Sequence, residues 1–255
     1  MHVEYEKIGQ KSGDLISKSP HQLILNDTNI DETFEAFTLN VEGRRFFSHD
    51  LNMATPLAFD GALPISKRKK VRELIVTLEI DNTEIYREIN KLLNELNTVK
   101  FSDEQLIYYC QFDSADEPDE RFEVQEVQLK FICHDPYKYA PQKMIEYTNS
   151  KSLDIDTDYP VRPRFEIVLS SEAPYTITNT TTNKKIIVGG TTDVMNSVDL
   201  SKSEVTRGIG AREFDNIKNL NINSDFEDFT VDKGDQVVIQ PAPTRIRLYY
   251  EGVFL

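Results

Sequence analysis

The chain has 255 residues, 28% of them charged, with a net charge of −14, four histidines, two cysteines and no tryptophan. This length suits two modest domains better than one large core, and the composition is too apolar and too regularly patterned for a disordered chain. The acidic balance argues against a nucleic-acid binder, because neutralising phosphates takes Lys and Arg.

Met1–Gln10 has no apolar stretch and carries Glu4, Glu6 and Lys7, so it does not read as a secretory signal; accumulation in the cytoplasm of the producing cell is expected. No apolar run reaches the ~18 residues of a membrane helix, so no membrane insertion is expected. Ser48–Lys70 is long and lacks clear alternation in its middle, and it ends in the basic run Ser66-Lys67-Arg68-Lys69-Lys70. So long a loop in a compact domain usually has a role; an arm reaching a neighbouring subunit and a plain surface loop both fit.

Residues 72–80 alternate, with Leu74, Val76, Leu78 and Ile80 on one face. From Glu84 to Asn97 the apolar positions Ile85, Ile89, Leu92, Leu93 and Leu96 fall on one helical stripe, with Asp81 as a candidate N-cap and Glu84 as its capping-box partner. Residues 105–112 and 126–133 alternate again, around a solvated acidic loop at Asp113–Arg121. Period-2 patterns of this kind predict antiparallel sheets with one wet face.

The proline-flanked stretch Asp135–Pro141 marks a domain boundary, giving domains 1–140 and 141–255. The first carries 26 acidic and 16 basic residues and the second 17 and 13, so the charge density changes there too. Short strands are expected at Phe165–Leu169, Tyr175–Thr178, Lys185–Val188, Asn196–Leu200, Phe229–Val231, Gln236–Ile239 and Arg245–Tyr250, a pattern that suggests a β-sandwich.

No catalytic or cofactor motif is present. Gly189-Gly190-Thr191-Thr192 follows a strand, but no helix or lysine comes after it, so it reads as a turn. Asp154-Ile155-Asp156-Thr157-Asp158 opens like a calcium loop, but Tyr159 stands where glycine is needed and Phe165 where glutamate is needed. His21, His49 and His134 lack metal-ligand spacing. Cys110 and Cys133 sit in strand-like runs and read as buried free thiols, with a disulfide left open. Neither a metal nor a cofactor is expected.

The order of signals resembles the distal tail proteins of long-tailed (siphovirus) bacteriophages. It begins with an early strand pair ending in Gly43-Arg44-Arg45, the irregular segment with Asp60-Gly61, the strand Arg72–Ile80 and a single helix. Phe101-Ser102-Asp103-Glu104 then leads into Tyr108-Tyr109, and Phe131-Ile132-Cys133-His134-Asp135-Pro136-Tyr137 closes the first half. Pro174–Asn179, Lys184–Val188, Ser224–Phe229 and Arg245–Tyr250 continue the likeness; Lys233-Gly234-Asp235 stands where relatives often show Pro-Gly-Asn.

The resemblance implies a mainly β protein, with an N-terminal β-sandwich or split-barrel domain holding one α-helix and a C-terminal galectin-like β-sandwich. The final strand can pack back near the first domain. It implies a non-enzymatic hub at the distal end of the phage tail, assembled in the host cytoplasm. Six copies would form a ring joining the tail-tube protein to the tip or tail-lysin protein, with receptor-binding or other baseplate proteins as further partners. DNA would pass through the ring without specific binding. The family's inter-subunit arm would lie in Ser48–Lys70, with Ser48, Asp50, Met53, Phe59, Lys67 and Lys70 as candidate contact residues. The alternatives are a carbohydrate-binding module for the host wall and another minor tail or tail-tube protein.

Overall fold

The even-numbered residues of Arg72–Ile80 all turn inward: Arg72, Leu74, Val76, Leu78 and Ile80 are buried, while Glu73 is exposed. The same period buries Val127, Leu129, Phe131 and Cys133 of Gln125–Cys133. The two strands pair antiparallel along their whole length, with Arg72 opposite Cys133 and Ile80 opposite Gln125. Around this pair is built the first of two compact units, Met1–Pro136; the second is Tyr137–Leu255. The structure, a computed structural model, describes residues 19–46, 48–55, 61–80, 84–94, 97–116, 125–148, 151–190, 192–208 and 213–255.

The first unit runs β1 (Leu23–Leu25), β2 (Thr28–Asn29), α1 (Ile30–Phe34), β3 (Phe37–Glu42), β4 (His49–Ala54), β5 (Leu63–Lys69), β6 (Arg72–Ile80), α2 (Glu84–Leu92), β7 (Asn97–Phe101), β8 (Tyr108–Ala115) and β9 (Gln125–Cys133). Seven strands form one antiparallel sheet in the order β2-β1-β7-β8-β9-β6-β3, and β4 and β5 form a separate hairpin. Beside the expected helix stands the one-turn helix α1, capped by the Asn29 side chain, which accepts from the Glu32 amide. Helix α2 packs Ile89, and Leu93 just beyond it, into the core of the sheet.

Helix α2 ends earlier than its apolar stripe predicts. The Asn26 side chain donates to the Leu92 carbonyl and to the Asn97 Oδ1, at 3.1 Å each. Asn97 is thereby drawn into β7, opposite Cys110. The expected cap at Asp81, and Leu96, lie outside the described residues. Strand β8 continues through Asp113 to Ala115 with a bulge between Phe112 and Ser114, so the acidic loop begins later than expected.

Near the two ends of the strand order, β1 and β3 are joined by side chains. The buried Asp31 carboxylate accepts from the Leu23 amide (3.0 Å), the Thr38 amide (2.8 Å) and the Thr38 hydroxyl (2.6 Å). The Leu23 amide also reaches Thr38 Oγ1 at 3.2 Å, and Ser19 Oγ donates to the Thr38 carbonyl at 2.6 Å. The sheet therefore curls until its two sides meet along a seam held by side chains, a split barrel.

The second unit contains β10 (Lys138–Tyr139), β11 (Lys143–Tyr147), β12 (Lys151–Ser152), β13 (Arg164–Val168), β14 (Tyr175–Asn179), β15 (Lys184–Val188), β16 (Met195–Asp199), β17 (Glu204–Arg207), β18 (Phe214–Asp215), β19 (Gln236–Gln240), β20 (Arg245–Tyr250) and β21 (Val253–Phe254). A six-stranded sheet, β11-β20-β13-β16-β17-β18, faces a four-stranded one, β12-β19-β14-β15. One core lies between them, with Phe165 and Ile167 from the first sheet meeting Ile177, Ile186 and Ile239 from the second. Phe165 packs edge-on to Phe229 at 6.2 Å. The mainly β class and the sandwich are as expected, with 51% strand and 8% helix among the described residues.

Phe229–Val231 does not form the predicted strand; only Val231 pairs, in a bridge to Val161. Its neighbour Thr230 gives its carbonyl to the buried Asn179 side chain (3.1 Å), which also donates to Asp235 at 2.7 Å. Asp235 Oδ2 accepts the Asp232 amide as well, at 2.9 Å, closing the Lys233-Gly234-Asp235 turn around Gly234 at φ +86°.

Candidate functional site

The chain leaves the barrel for the hairpin at Gly43, where φ is +85°. A Cβ there would lie 1.8 Å from the Glu73 carbonyl oxygen, so the turn needs glycine. Strands β4 and β5 then pair with His49 opposite Lys69, Asp50 opposite Arg68, Leu51 opposite Lys67 and Met53 opposite Pro64. The register shifts between Asn52 and Met53, a bulge that accommodates Ile65. At the root, the Lys70 amide donates to the Ser48 carbonyl at 3.0 Å.

No residue of either strand is buried. Leu51 is 53% exposed, Met53 51% and Ile65 63%. A two-stranded hairpin on its own is marginal in water, and clustered exposed apolar side chains mark an interaction surface. Lys67, Arg68 and Lys69 add positive charge to this surface in a chain of net −14. The Asp50–Lys70 ion pair at 3.0 Å is half exposed and adds little stability.

Of the residues proposed for the arm, Ser48 and Lys70 meet at the root and Asp50 pairs with Lys70. Met53 is exposed on β4, and Lys67 stands across from Leu51. Phe59 lies outside the described residues. Leu51, Ile65 and Arg68 stand on the hairpin as well, beyond the candidate contact residues, and Arg72 and Arg44 brace its root. There, Arg72 Nη1 donates to the carbonyls of Gly43 (2.8 Å) and Arg44 (2.9 Å). Arg44 in turn bonds both Asp103 oxygens (2.9 and 3.0 Å) and lies 4.5 Å from the Phe101 ring centre. A charged residue at a buried parity, as Arg72 is, was the available signal. A cavity of about 460 Å³ opens beside this root, lined by His21, Asn40, Val41, Gly43, Arg44, Arg45 and Phe46.

The side chains of His21 and His134 are engaged with their neighbours. His21 contacts Asp103 at 2.9 Å and His134 contacts Gln111 at 2.7 Å. Among the described residues no group of three or more His, Cys, Asp or Glu could hold a metal ion, and no helix is long and apolar enough to cross a membrane.

Both cysteines are free and buried. The hydrogen bond to Cys133, and then burial, push the Cys110 thiol far up. Burial likewise raises Tyr108, Tyr147 and Tyr175, with the hydrogen bond to Glu104 adding to the shift at Tyr108. These groups bind protons more tightly when folded. Their stabilisation is full below the ordinary values of 9.0 for the thiol and 10.0 for the phenols, and it is lost as pH rises above them. A thiol reagent at pH 8 should therefore leave the folded chain unlabelled and titrate both cysteines after denaturation, and the denaturation midpoint should fall above about pH 9. Rapid labelling of folded protein would contradict the burial.

The distal tail protein of Bacillus phage SPP1 is 27% identical to this chain over 144 residues, 52% of this chain and 57% of that protein. In that alignment the chain spans little more than half the length of its curated relative. The crystal structure of SPP1 Dit, a protein described as a paradigm of the hub adsorption apparatus of phages infecting Gram-positive bacteria, matches 92% of this chain and 99% of its own. The TM-score is 0.77, at 20% identity. This chain has the fold of a distal tail protein. The phage P2 baseplate, in its activated conformation with Ca, contains a chain matched over 91% of this one at a TM-score of 0.59 and 8% identity. No protein-family model matches. Sequence and fold thus bear out the resemblance to siphovirus distal tail proteins, and the proteins matched are tail and baseplate components rather than enzymes.

Proposed function

We propose that this chain is a structural, non-enzymatic hub of a phage tail tip, closing into a six-membered ring between the tail tube and the tip or tail-lysin protein. The observation that carries the reading is the match to the SPP1 Dit hub protein over 92% of the chain. The hairpin supplies the chemistry of assembly: an exposed apolar and basic arm laid on the neighbouring copy. A contact between two different surfaces, repeated around a closing rotation, makes a ring. The wet face of the seven-stranded sheet carries Glu42, Glu73, Glu79 and Glu126, with Lys130 already 3.3 Å from Glu73. A wall of that charge would repel DNA phosphates and let the genome slide past.

The saccharide-binding alternative ranks second. On the wet face of the six-stranded sheet, Arg164 bonds Glu166 (3.1 Å) and Ser197 (3.2 Å), and the Tyr249 hydroxyl donates to Glu166 at 3.0 Å. Groups that a sugar would need are engaged with one another.

Light scattering and negative-stain imaging of the purified chain test the hub. Closed sixfold rings, single or face to face, are the expected result. A monomer at every concentration, persisting when tail-tube and tip proteins are added, would overturn it.

A further inference from the structure

We propose that Arg72 is a positioning residue that ties the root of the hairpin to the exit peptide of the first unit, so that these two segments open and close together. Its Nε donates to the carbonyl of Pro136, the last residue of the unit, at 2.9 Å. Its Nη1 donates to the carbonyls of Gly43 and Arg44, where the chain departs for the hairpin. Arg72 itself begins β6, directly after the hairpin returns. One guanidinium thus holds the outgoing chain, the returning chain and the end of the unit.

The group is 4% exposed and lies 5.6 Å from the centre of the Tyr108 ring. Burial draws its pKa below the ordinary range, partly offset by Tyr108 and Cys133. A buried cation bound mainly by carbonyls is a costly way to fill a core position, and an apolar side chain would pack there more cheaply. What the guanidinium adds is geometry: a rigid planar fork whose donors point in fixed directions. Lysine places one compact charge on a flexible stem and cannot span the Gly43, Arg44 and Pro136 carbonyls in the same way. Around the fork, Arg44 is clamped by Asp103, and the Tyr108 hydroxyl donates to Glu104 at 2.7 Å, so the acceptors sit on a braced frame. Displacing Gly43 would strain the bond to Pro136, and displacing Pro136 would strain those to the root.

The latch rests on the hub reading only in its consequence, that an arm engaged by a neighbour would be felt at the exit to the second unit. The test is hydrogen exchange on the full-length chain, comparing wild type with Arg72→Lys. Segments 43–48 and 134–139 should both exchange at least about tenfold faster in the variant, while 97–101 and the second unit from residue 143 onward change less than about twofold. Unchanged exchange at either segment in a folded variant, or a uniform rise throughout, would overturn the proposal. Should Arg72→Lys fail to fold, the unaltered chain decides: exchange in 43–48 and 134–139 should share one opening free energy and one denaturant slope, and independent openings would refute the coupling. Absence of rings from the unaltered chain, with both segments still exchanging faster in Arg72→Lys, would count against the hub reading and leave the latch standing.

Discussion

On the proposed ring assembly, replacing residues 49–69 by two glycines is expected to give a folded monomer that does not close into rings. The excision is geometrically mild, because the Ser48 carbonyl and the Lys70 amide are already hydrogen-bonded at 3.0 Å. Among the described residues it removes no buried side chain, since every residue of both hairpin strands is at least partly exposed. Surface changes of this kind usually move stability by only about 0.5 kcal/mol, a shift of a few degrees at most in a chain of this size. Assembly should respond far more, because the hairpin carries the exposed Leu51, Met53 and Ile65 and the basic Lys67, Arg68 and Lys69. A milder variant, Lys67→Glu with Arg68→Glu and Lys69→Glu, should weaken rings and reduce their sensitivity to salt. Rings of normal yield from the excised chain would remove the arm from the account of assembly.

Asp31→Ala should cost the first unit about 1–3 kcal/mol, the range for leaving a buried donor without its acceptor. The carboxylate accepts from two backbone amides and a hydroxyl, at 3.0, 2.8 and 2.6 Å. Removing it leaves the Thr38 amide without that acceptor and opens space where water has little room. The Leu23 amide retains only the longer contact to Thr38 Oγ1 at 3.2 Å. Asp31→Asn keeps one oxygen of similar shape and should fall between the two. Denaturant unfolding followed by fluorescence, with intact second-unit signals as the internal reference, measures the difference. A loss under about 1 kcal/mol would mean that the seam is closed by packing instead.

What could be read from the sequence was what burial writes into it. Strands β6 and β9 each show one buried and one wet face, so Leu74 to Ile80 and Val127 to Cys133 declared themselves. The hairpin buries nothing, so it leaves no alternation; Leu51, Met53 and Ile65 are apolar without a period. Strand β11 buries only Tyr147 and β17 only Val205, too little to stand out. The end of α2 depended on Asn26, 66 residues away from the carbonyl it caps, and no local pattern announces such a partner. The seam and the latch belong to the same class, since Asp31 and Arg72 gain their roles from segments brought together only by folding. Length and family likeness locate the candidate arm and its ends at Ser48 and Lys70, but not the Arg72 bonds that hold its root.

The Asp31 seam also determines how the first unit would yield under load. Most of its wall is stitched by rows of backbone bonds, each strand to the next. Along one line, among the described residues, the wall is fastened by side chains, the Asp31 carboxylate and the Thr38 and Ser19 hydroxyls. Tension across the barrel would part that line before any row unzipped, and the fasteners would find their partners again when the tension ceased. In the proposed hub, a passing genome would then meet a wall with one reversible clasp.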